Sequence, residues 1–478
     1  MRRSSKYPNE EPLEYRDWRG GVNLIDPPRL IAENELVNGM NVEIDAETGR
    51  LQSRPRLGAP VATLPDPVRK VWIHPKGHVL AAAGKKLYYV FPAYSGSSYR
   101  ELGGLSGVRL PNFWDWDEKI FAVSGGKLQY LDGTLKTILK SPDCDMVHSR
   151  FGRIVVSKAG QDDIPYSSIG DATSDEAWVE NSNNALQAQK LEVAYKESGD
   201  ILTVVPLLTD LVVFRTFGIY RVTSEFPDWL VHKITTDTTA VNSECAVELA
   251  NTAAFLSEKG LKILAGVQEY PNIKQQDIAV KVNEWLSKRI DPGTAWVKHL
   301  KNRKQLIIKP RESNWVLVYH YQYDAATTWK FSSPISDIVE WKNGVLAAQG
   351  NNLFYLDRYH TTDNGSTVTA TVLMKQYKGF NDFLVKRLAL GLENKRPGTL
   401  TFSVSGVEFE FALGNNWDLI HGDTSLIYGD SALVWQDTLE DVDQRNVVRK
   451  NFLQLGITCS TDFVLDSIRL EKVVVGNG

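Results

Sequence analysis

The sequence predicts an all-β chain, and three observations carry that prediction. Runs of about four to eight residues rich in Val, Ile, Tyr, Phe and Trp recur with Gly, Asn, Asp or Pro between them, the pattern of short strands and turns. One hairpin text returns along the chain. Clear helical spacing occurs once, at Ile278, Val282, Trp285, Leu286 and Ile290, with Pro292-Gly293 as a stop.

The returning hairpin specifies the fold class more closely. Residues 79–90 (VLAAAGKKLYYV) read as strand, turn, strand; residues 120–132 (IFAVSGGKLQYLD) and 345–357 (VLAAQGNNLFYLD) repeat the template. Looser copies lie at 211–222 and 254–264, and degenerate ones at 153–167 and 306–319. Their returning strands are marked by Leu87, Leu128, Ile164, Ile219, Leu261, Val316 and Leu353, at spacings of 41, 36, 55, 42, 55 and 37. A hairpin every 40–50 residues or so is the imprint of a β-propeller, in which each small sheet needs neighbours on both faces. Seven blades are predicted; six are possible if the degenerate copies form one blade with an insertion. The WD40 signature is absent. After Asp357 the template stops, and the strand-like runs from 367 onward predict a C-terminal β-sandwich. The expected division is an N-terminal arm and propeller-closing segment at 1–66, a propeller at 67–360 and the sandwich at 361–478.

Composition narrows the function classes. With 54 Lys+Arg against 58 Asp+Glu, a net charge of −4 and 42% hydrophobic residues, the chain is an ordinary globular one, not built to grip nucleic acid over its whole surface. Cys144, Cys245 and Cys459 form no CxxC or Cys/His cluster, so neither a disulfide framework nor a zinc site is indicated. No apolar stretch follows Met1-Arg2-Arg3 and no run approaches about 20 apolar residues, so neither a secretory leader nor a membrane anchor is expected.

No P-loop, HExxH or GxSxG elbow is present. Gly429-Asp430-Ser431 is a fragment of a hydrolase motif that a polar turn explains as well. Trp114-Asp115-Trp116-Asp117-Glu118 is the most enzyme-like text, since paired carboxyls flanked by aromatics suit glycoside hydrolysis or sugar stacking. A strand at a blade edge, with Trp packed between blades, accounts for it equally, and the Asp-box of propeller glycosidases is missing. Charge is uneven: Lys298, Lys301, Arg303, Lys304, Lys309 and Arg311 fall within fourteen residues free of acids, whereas residues 408–443 hold nine acids and no Lys or Arg. The basic stretch is a candidate interface or phosphate-contacting segment. No sequence-specific DNA-binding motif is seen.

The text from Gly20 to Gly58 differs from the rest and reads as an extended arm, stiffened by Pro27-Pro28, with one or two helical turns at 33–40. Its pattern of GGVN, Leu30, Asn34-Glu35-Leu36, Asn41-Val42, Asp45, Gly49, Leu51 and Arg54-Pro55 resembles the opening of the tail hub or nozzle proteins of short-tailed bacteriophages, also called packaged-DNA stabilisation or tail tubular protein B. Arg150-Phe151-Gly152-Arg153, Ile169-Gly170-Asp171-Ala172, Phe217-Gly218-Ile219-Tyr220, the run from Phe255 to Gly260 and Lys386-Arg387 follow in the family's order. One departure is Arg56-Leu57-Gly58, where the family more often has glycine directly after the proline.

The resemblance implies a non-enzymatic virion protein, a homohexameric ring extending the DNA channel below the portal and adaptor. It would retain packaged double-stranded DNA, conduct it without sequence preference during ejection and carry spikes, fibres or a needle. It implies assembly in the host bacterial cytoplasm, residence in the virion tail and no cofactor. The arm or assembly motif is Asn23, Asn34, Glu35, Asn41, Gly49, Arg54 and Pro55. A conduit should repel its cargo, so Asp418, Asp423 and Asp430 are candidate channel-lining acids. Residues 51–57 are expected to close the propeller, and 1–26, in an arm with little to fill a core, to reach a neighbour. The rival readings are a propeller glycosidase or depolymerase using Asp115, Asp117 and Glu118, and a monomeric propeller scaffold.

Overall fold

The computed structural model describes residues 13–91, 98–194, 197, 199–207, 209–225, 228–249, 252–265, 274–358, 360–393, 398–413, 439–442 and 449–475. These residues are nearly all β, in many small sheets with one α-helix. The chain forms two compact units, one of residues 1–56, 315–332 and 358–478, the other of 57–314 and 333–357. This differs from three consecutive segments because strand pairing ties residues hundreds of positions apart.

In the second unit, six of the seven expected hairpins each lie at the centre of a four-stranded sheet. The first sheet comprises Val68–Ile73, Val79–Ala83, Lys86–Phe91 and Ser98–Gly104. The next four sheets repeat this order, led by Asn112–Trp116, Met146–Arg150, Ile201–Leu207 and Ala246–Leu249. In the sixth repeat Trp296–Leu300 pairs with Gln305–Lys309. The seventh has Asp337–Trp341, Gly344–Gln349 and Asn352–Asp357, and takes its fourth strand, Arg56–Thr63, from the other end of the sequence. The two spacings of 55 residues reflect insertions: a loop carrying the 3-10 turn Glu176–Trp178, and the helix Val280–Ser287. That helix is shorter than the expected 278–290 because Ile278 N–H is still bonded to Leu261 O and Ala279 adopts φ 55°.

The apolar runs are continuous because both faces of each sheet are buried. In Val79–Ala83 every residue is buried. Val79, Ala81 and Ala83 pack toward the seventh sheet with Leu346, Ala348 and Leu353. Leu80 and Ala82 point the other way, toward Phe113, Ile120 and Ala122 of the second sheet. Equivalent layers join the second sheet to the third around Phe121, Val147 and Ile154, and the third to the fourth around Met146, Val155 and Val213.

The leading strands of repeats two to seven touch in order, and the seventh touches the first. Side chains fasten every junction: His74 Nε2 to Asp115 Oδ1 (3.0 Å), Trp114 Nε1 to Ser149 Oγ (2.7 Å), Arg150 Nε to Asp210 O (3.3 Å) and Thr203 Oγ1 to Ser243 O (3.1 Å). The cycle continues with His299 Nδ1 to Glu248 O (2.9 Å), Asn302 N to Glu340 Oε1 (2.8 Å) and Trp341 Nε1 to Gly77 O (3.0 Å).

The first unit overturns the reading of the arm as an extended strap. Tyr15, Trp18, Val22, Leu36, Val42, Ile44 and Leu51 lie in one core with Val372, Phe402, Leu455, Ile457 and Leu470. Leu13–Tyr15 pairs antiparallel with Val464–Val475, so these residues are occupied within their own chain. The expected helical turns at 33–40 are instead the strand Glu35–Met40, paired with Ala370–Glu393. Leu51–Ser53, in the segment expected to close the propeller, pairs with Val42–Ile44 and with Val464 and Leu465. Within 51–57 only Arg56 and Leu57 join the seventh repeat, as the start of the strand Arg56–Thr63, which lies inside the expected closing segment 1–66.

Phe121, fully buried between the second and third sheets, tests this packing. Phe121→Ala should cost about 3–5 kcal/mol, read as a lower urea midpoint at unchanged slope.

Candidate functional site

The arm motif assembles around one buried guanidinium. Asn41 sits at φ 57°, in the left-handed region that Asn tolerates better than most residues. Its Oδ1 accepts from Arg54 Nε (2.9 Å) and Lys330 N (2.7 Å), while Nδ2 donates to Thr369 O (2.8 Å). Arg54 is fully buried. It donates to Pro55 O (2.8 Å) and Lys330 O (2.7 Å), forms a two-pronged pair with Asp363, and lies 4.5 Å from the Phe331 ring centroid. A planar, five-donor group suits this mixture of carbonyl and carboxylate acceptors.

The other motif residues are also fasteners. Asn23 Nδ2 donates to Glu35 Oε2 (2.9 Å) and Asp26 Oδ2 (3.0 Å), and Glu35 Oε2 accepts Ala32 N–H (2.8 Å). Asn34 O accepts from Gly20 N (3.1 Å). Gly21 must be glycine: its φ is +62°, and a Cβ would lie 2.7 Å from Ala326 N. Gly49, at φ +75°, would drive a Cβ within 2.4 Å of Arg19 Nε. Sequence reasoning missed Asp363, the acceptor that makes Arg54 tolerable in the core, because 309 residues separate the two.

A second ionic cluster lies in the other unit. Lys298 Nζ is 3.0 Å from Asp337 Oδ1 and 3.2 Å from Glu244 Oε2, and Lys70 pairs with the same Glu244 oxygen. Asp337 Oδ2 also accepts Val71 N–H (2.7 Å), so four charges join repeats five, six, seven and one. Burial pushes the Glu244 carboxyl up, but Lys70 and Lys298 more than reverse this and hold it at about 2. Burial also opposes the Lys298 charge, yet Asp337 and Glu244 keep its ammonium above the usual range. Lys70 falls below the usual range, since burial and the Lys298 charge outweigh its attraction to Glu244.

This corrects the reading of the basic stretch as one charged surface. Lys298 belongs to that internal cluster, and Lys309, 1% exposed in its side chain, donates to Ile335 O (2.8 Å) and pairs with Glu312 (3.0 Å). Both are on strands whose side chains point inward. Lys301 and Lys304 stand exposed, and Arg303 half-buried, in the turn between those strands; Arg311 is exposed beyond them. Asp418, Asp423 and Asp430, with Gly429 and Ser431, lie outside the described residues.

The Trp-Asp text is divided by its strand end. Asp115 is on Asn112–Trp116 and accepts from His74 Nε2, whose ring is oriented by Lys76 N–H donating to Nδ1 (3.1 Å). Asp117 and Glu118 are exposed in the turn that follows, at φ 49° and 58°. Asp115 and Asp117 therefore do not share a strand face. The three cysteines are buried and in no disulfide, and burial raises the thiols of Cys144 and Cys245 far above their ordinary range. Among the described residues no group of three or more His, Cys, Asp and Glu is placed to hold a metal ion.

No family model matches the chain, and no curated protein matches it. Solved structures similar to parts of it include the extracellular domain of BT4673 from B. thetaiotaomicron, at TM-score 0.47 and 10% identity over 81% of this chain. The WD40 β-propeller domain of Doa1 aligns at TM-score 0.39 and 9% identity over 63% of this chain and 96% of its own, and YCF48 bound to D1 peptide at 0.40 and 11% over 64% and 99%. The chain spans 58% of the length of the BT4673 domain.

Two outcomes test the ionic clusters. Asp363→Asn should destabilise by about 3–5 kcal/mol, because it strands a buried guanidinium, measured by chemical denaturation. Glu244 has a folded value of about 2 against an ordinary 4.5. Its contribution is therefore complete above 4.5 and is lost as pH falls toward 2. Thermal midpoints should drop across that window, and Glu244→Gln should flatten the drop.

Proposed function

We propose that this chain is a structural virion protein, the tail hub or nozzle of a short-tailed bacteriophage, with no catalytic role. It acts as a homohexamer that prolongs the DNA channel below portal and adaptor, retains packaged DNA, conducts it on ejection and bears spikes, fibres or a needle. Its body is a seven-bladed β-propeller, supported by the leading-strand contacts from the second repeat through the seventh to the first, by the apolar layer between the first and second sheets, and by the return of Arg56–Thr63 to the last sheet. Its C-terminal β-sandwich is supported by the single large core of the first unit. The protein is assembled in the bacterial cytoplasm and resides in the virion tail.

One observation carries the reading. The residues that make the arm resemble this family are the ones the fold uses as fasteners: Asn23, Glu35, Asn41, Gly49 and Arg54 are each committed to buried or sterically closed contacts. A match confined to chance surface residues would not select these positions. Asp115, one of the three acids of the enzyme rival, is bonded to His74 and holds a repeat junction.

Light scattering coupled to size exclusion tests the proposal. The expected particle contains six copies of the 53.6 kDa chain and shows sixfold rings by negative-stain imaging. A particle that stays monomeric with adaptor protein present excludes the hub reading and leaves the scaffold rival.

A further inference from the structure

The turns that join the first two strands of repeats two, three and four meet around a cleft of about 410 Å³ lined by Trp116, Ser149, Arg150, Phe151, Thr209 and Asp210, within the size range of small-molecule sites. We propose that this cleft binds a sugar unit bearing one carboxylate, such as a hexuronate within a glycan, with Arg150 as the anion contact and Trp116 as the stacking surface.

Arg150 supplies the charge. Its Nη1 donates to Ser149 O (2.9 Å) and its Nε to Asp210 O (3.3 Å). These carbonyls orient the guanidinium, whose charge the Glu248 and Asp210 carboxylates favour from further off. The nearby Asp210 carboxylate is engaged elsewhere, by Arg221 Nε (2.6 Å) and Thr209 Oγ1 (3.2 Å). Arg150 thus enters the cleft as an oriented cation, and a carboxylate is the acceptor its planar fork matches. Ser149 Oγ accepts from Trp114 Nε1 (2.7 Å), which leaves its own O–H to donate to a sugar oxygen. Trp116 is half-buried, its ring packed against the layer that holds Phe121 (6.4 Å between ring centroids), and its remaining surface lines the cleft.

The backbone around the cleft is held in an unusual state. Phe151 and Gly152 occupy φ 56° and 69°, and in the neighbouring turn Asp117 and Glu118 occupy 49° and 58°. Phe and Glu rarely adopt this conformation, and such outliers concentrate at ligand sites. Phe151 is kept there by Trp229, 4.9 Å away edge-to-face, so the wall is preorganised.

Titration of the full chain with methyl glucuronide, methyl glucoside and a single-stranded oligonucleotide, followed by tryptophan fluorescence and calorimetry, tests the assignment. The glucuronide should bind at least about tenfold more tightly than the glucoside. Arg150→Gln should remove that preference, and Trp116→Leu should weaken both glycosides. The wild-type comparison decides even if a variant fails to fold. Equal affinity for the two glycosides, or no binding by either up to about 10 mM, overturns the proposal. Tighter binding of the oligonucleotide overturns it in favour of nucleic acid.

Discussion

A small β-sheet that is apolar on both faces has no stable existence alone, and the second unit is organised by that constraint. Val79–Ala83 is the plainest case: alternate residues serve two different interfaces, so deleting either neighbour exposes half the strand. Each sheet therefore requires one before it and one after it. A linear stack would leave two bare faces. The cycle of contacts leaves none, provided the last repeat meets the first. The chain meets that proviso by placing Arg56–Thr63, synthesised before any repeat, beside Asn352–Asp357, and by locking the junction with Asp337, which accepts Val71 N–H while holding Lys298.

Two of the buried ionic clusters do the same work. Arg54 with Asp363 and Lys298 with Asp337 and Glu244 join segments distant in sequence, and in each case backbone groups satisfy what the ion pair leaves over. Such pairs add little net stability over apolar packing, but they penalise misregistered alternatives, where a charge would be stranded. Apolar layers between near-identical hairpins discriminate poorly among registers; a single guanidinium that needs Asn41, Lys330 and Asp363 together does not. Groups that look reactive in the sequence, such as Asp115 and Lys298, are spent on this fastening.

The repeats were legible because burial on both faces leaves a strong signal: continuous apolar runs with turn residues at fixed offsets. The helix was legible too, by Val282 and Leu286 one turn apart on its buried side. The arm was not. Tyr15, Trp18 and Leu36 are scattered among charges, with no local period, since their partners on Ala370–Glu393 and Val464–Val475 are more than 300 residues away. Glu35–Met40 reads as helix from local propensity alone, and pairing with a long strand overrides that preference. The importance of Asn23, Asn41 and Arg54 was visible as a pattern, whereas what they bind was not. The basic stretch misled for a related reason: one-dimensional charge density does not distinguish Lys304, in an exposed turn, from Lys309, pointing inward on a strand.

The central claim is that closure between the last and first repeats makes the repeats one cooperative body. Native-state hydrogen exchange on the full chain tests it most directly. The account predicts that amides of Arg56–Thr63, Val68–Ile73 and Asp337–Trp341 share one opening free energy, and that Asp337→Asn lowers protection in all three together. Separate openings, with Arg56–Thr63 exchanging while Asn352–Asp357 stays protected, would contradict it.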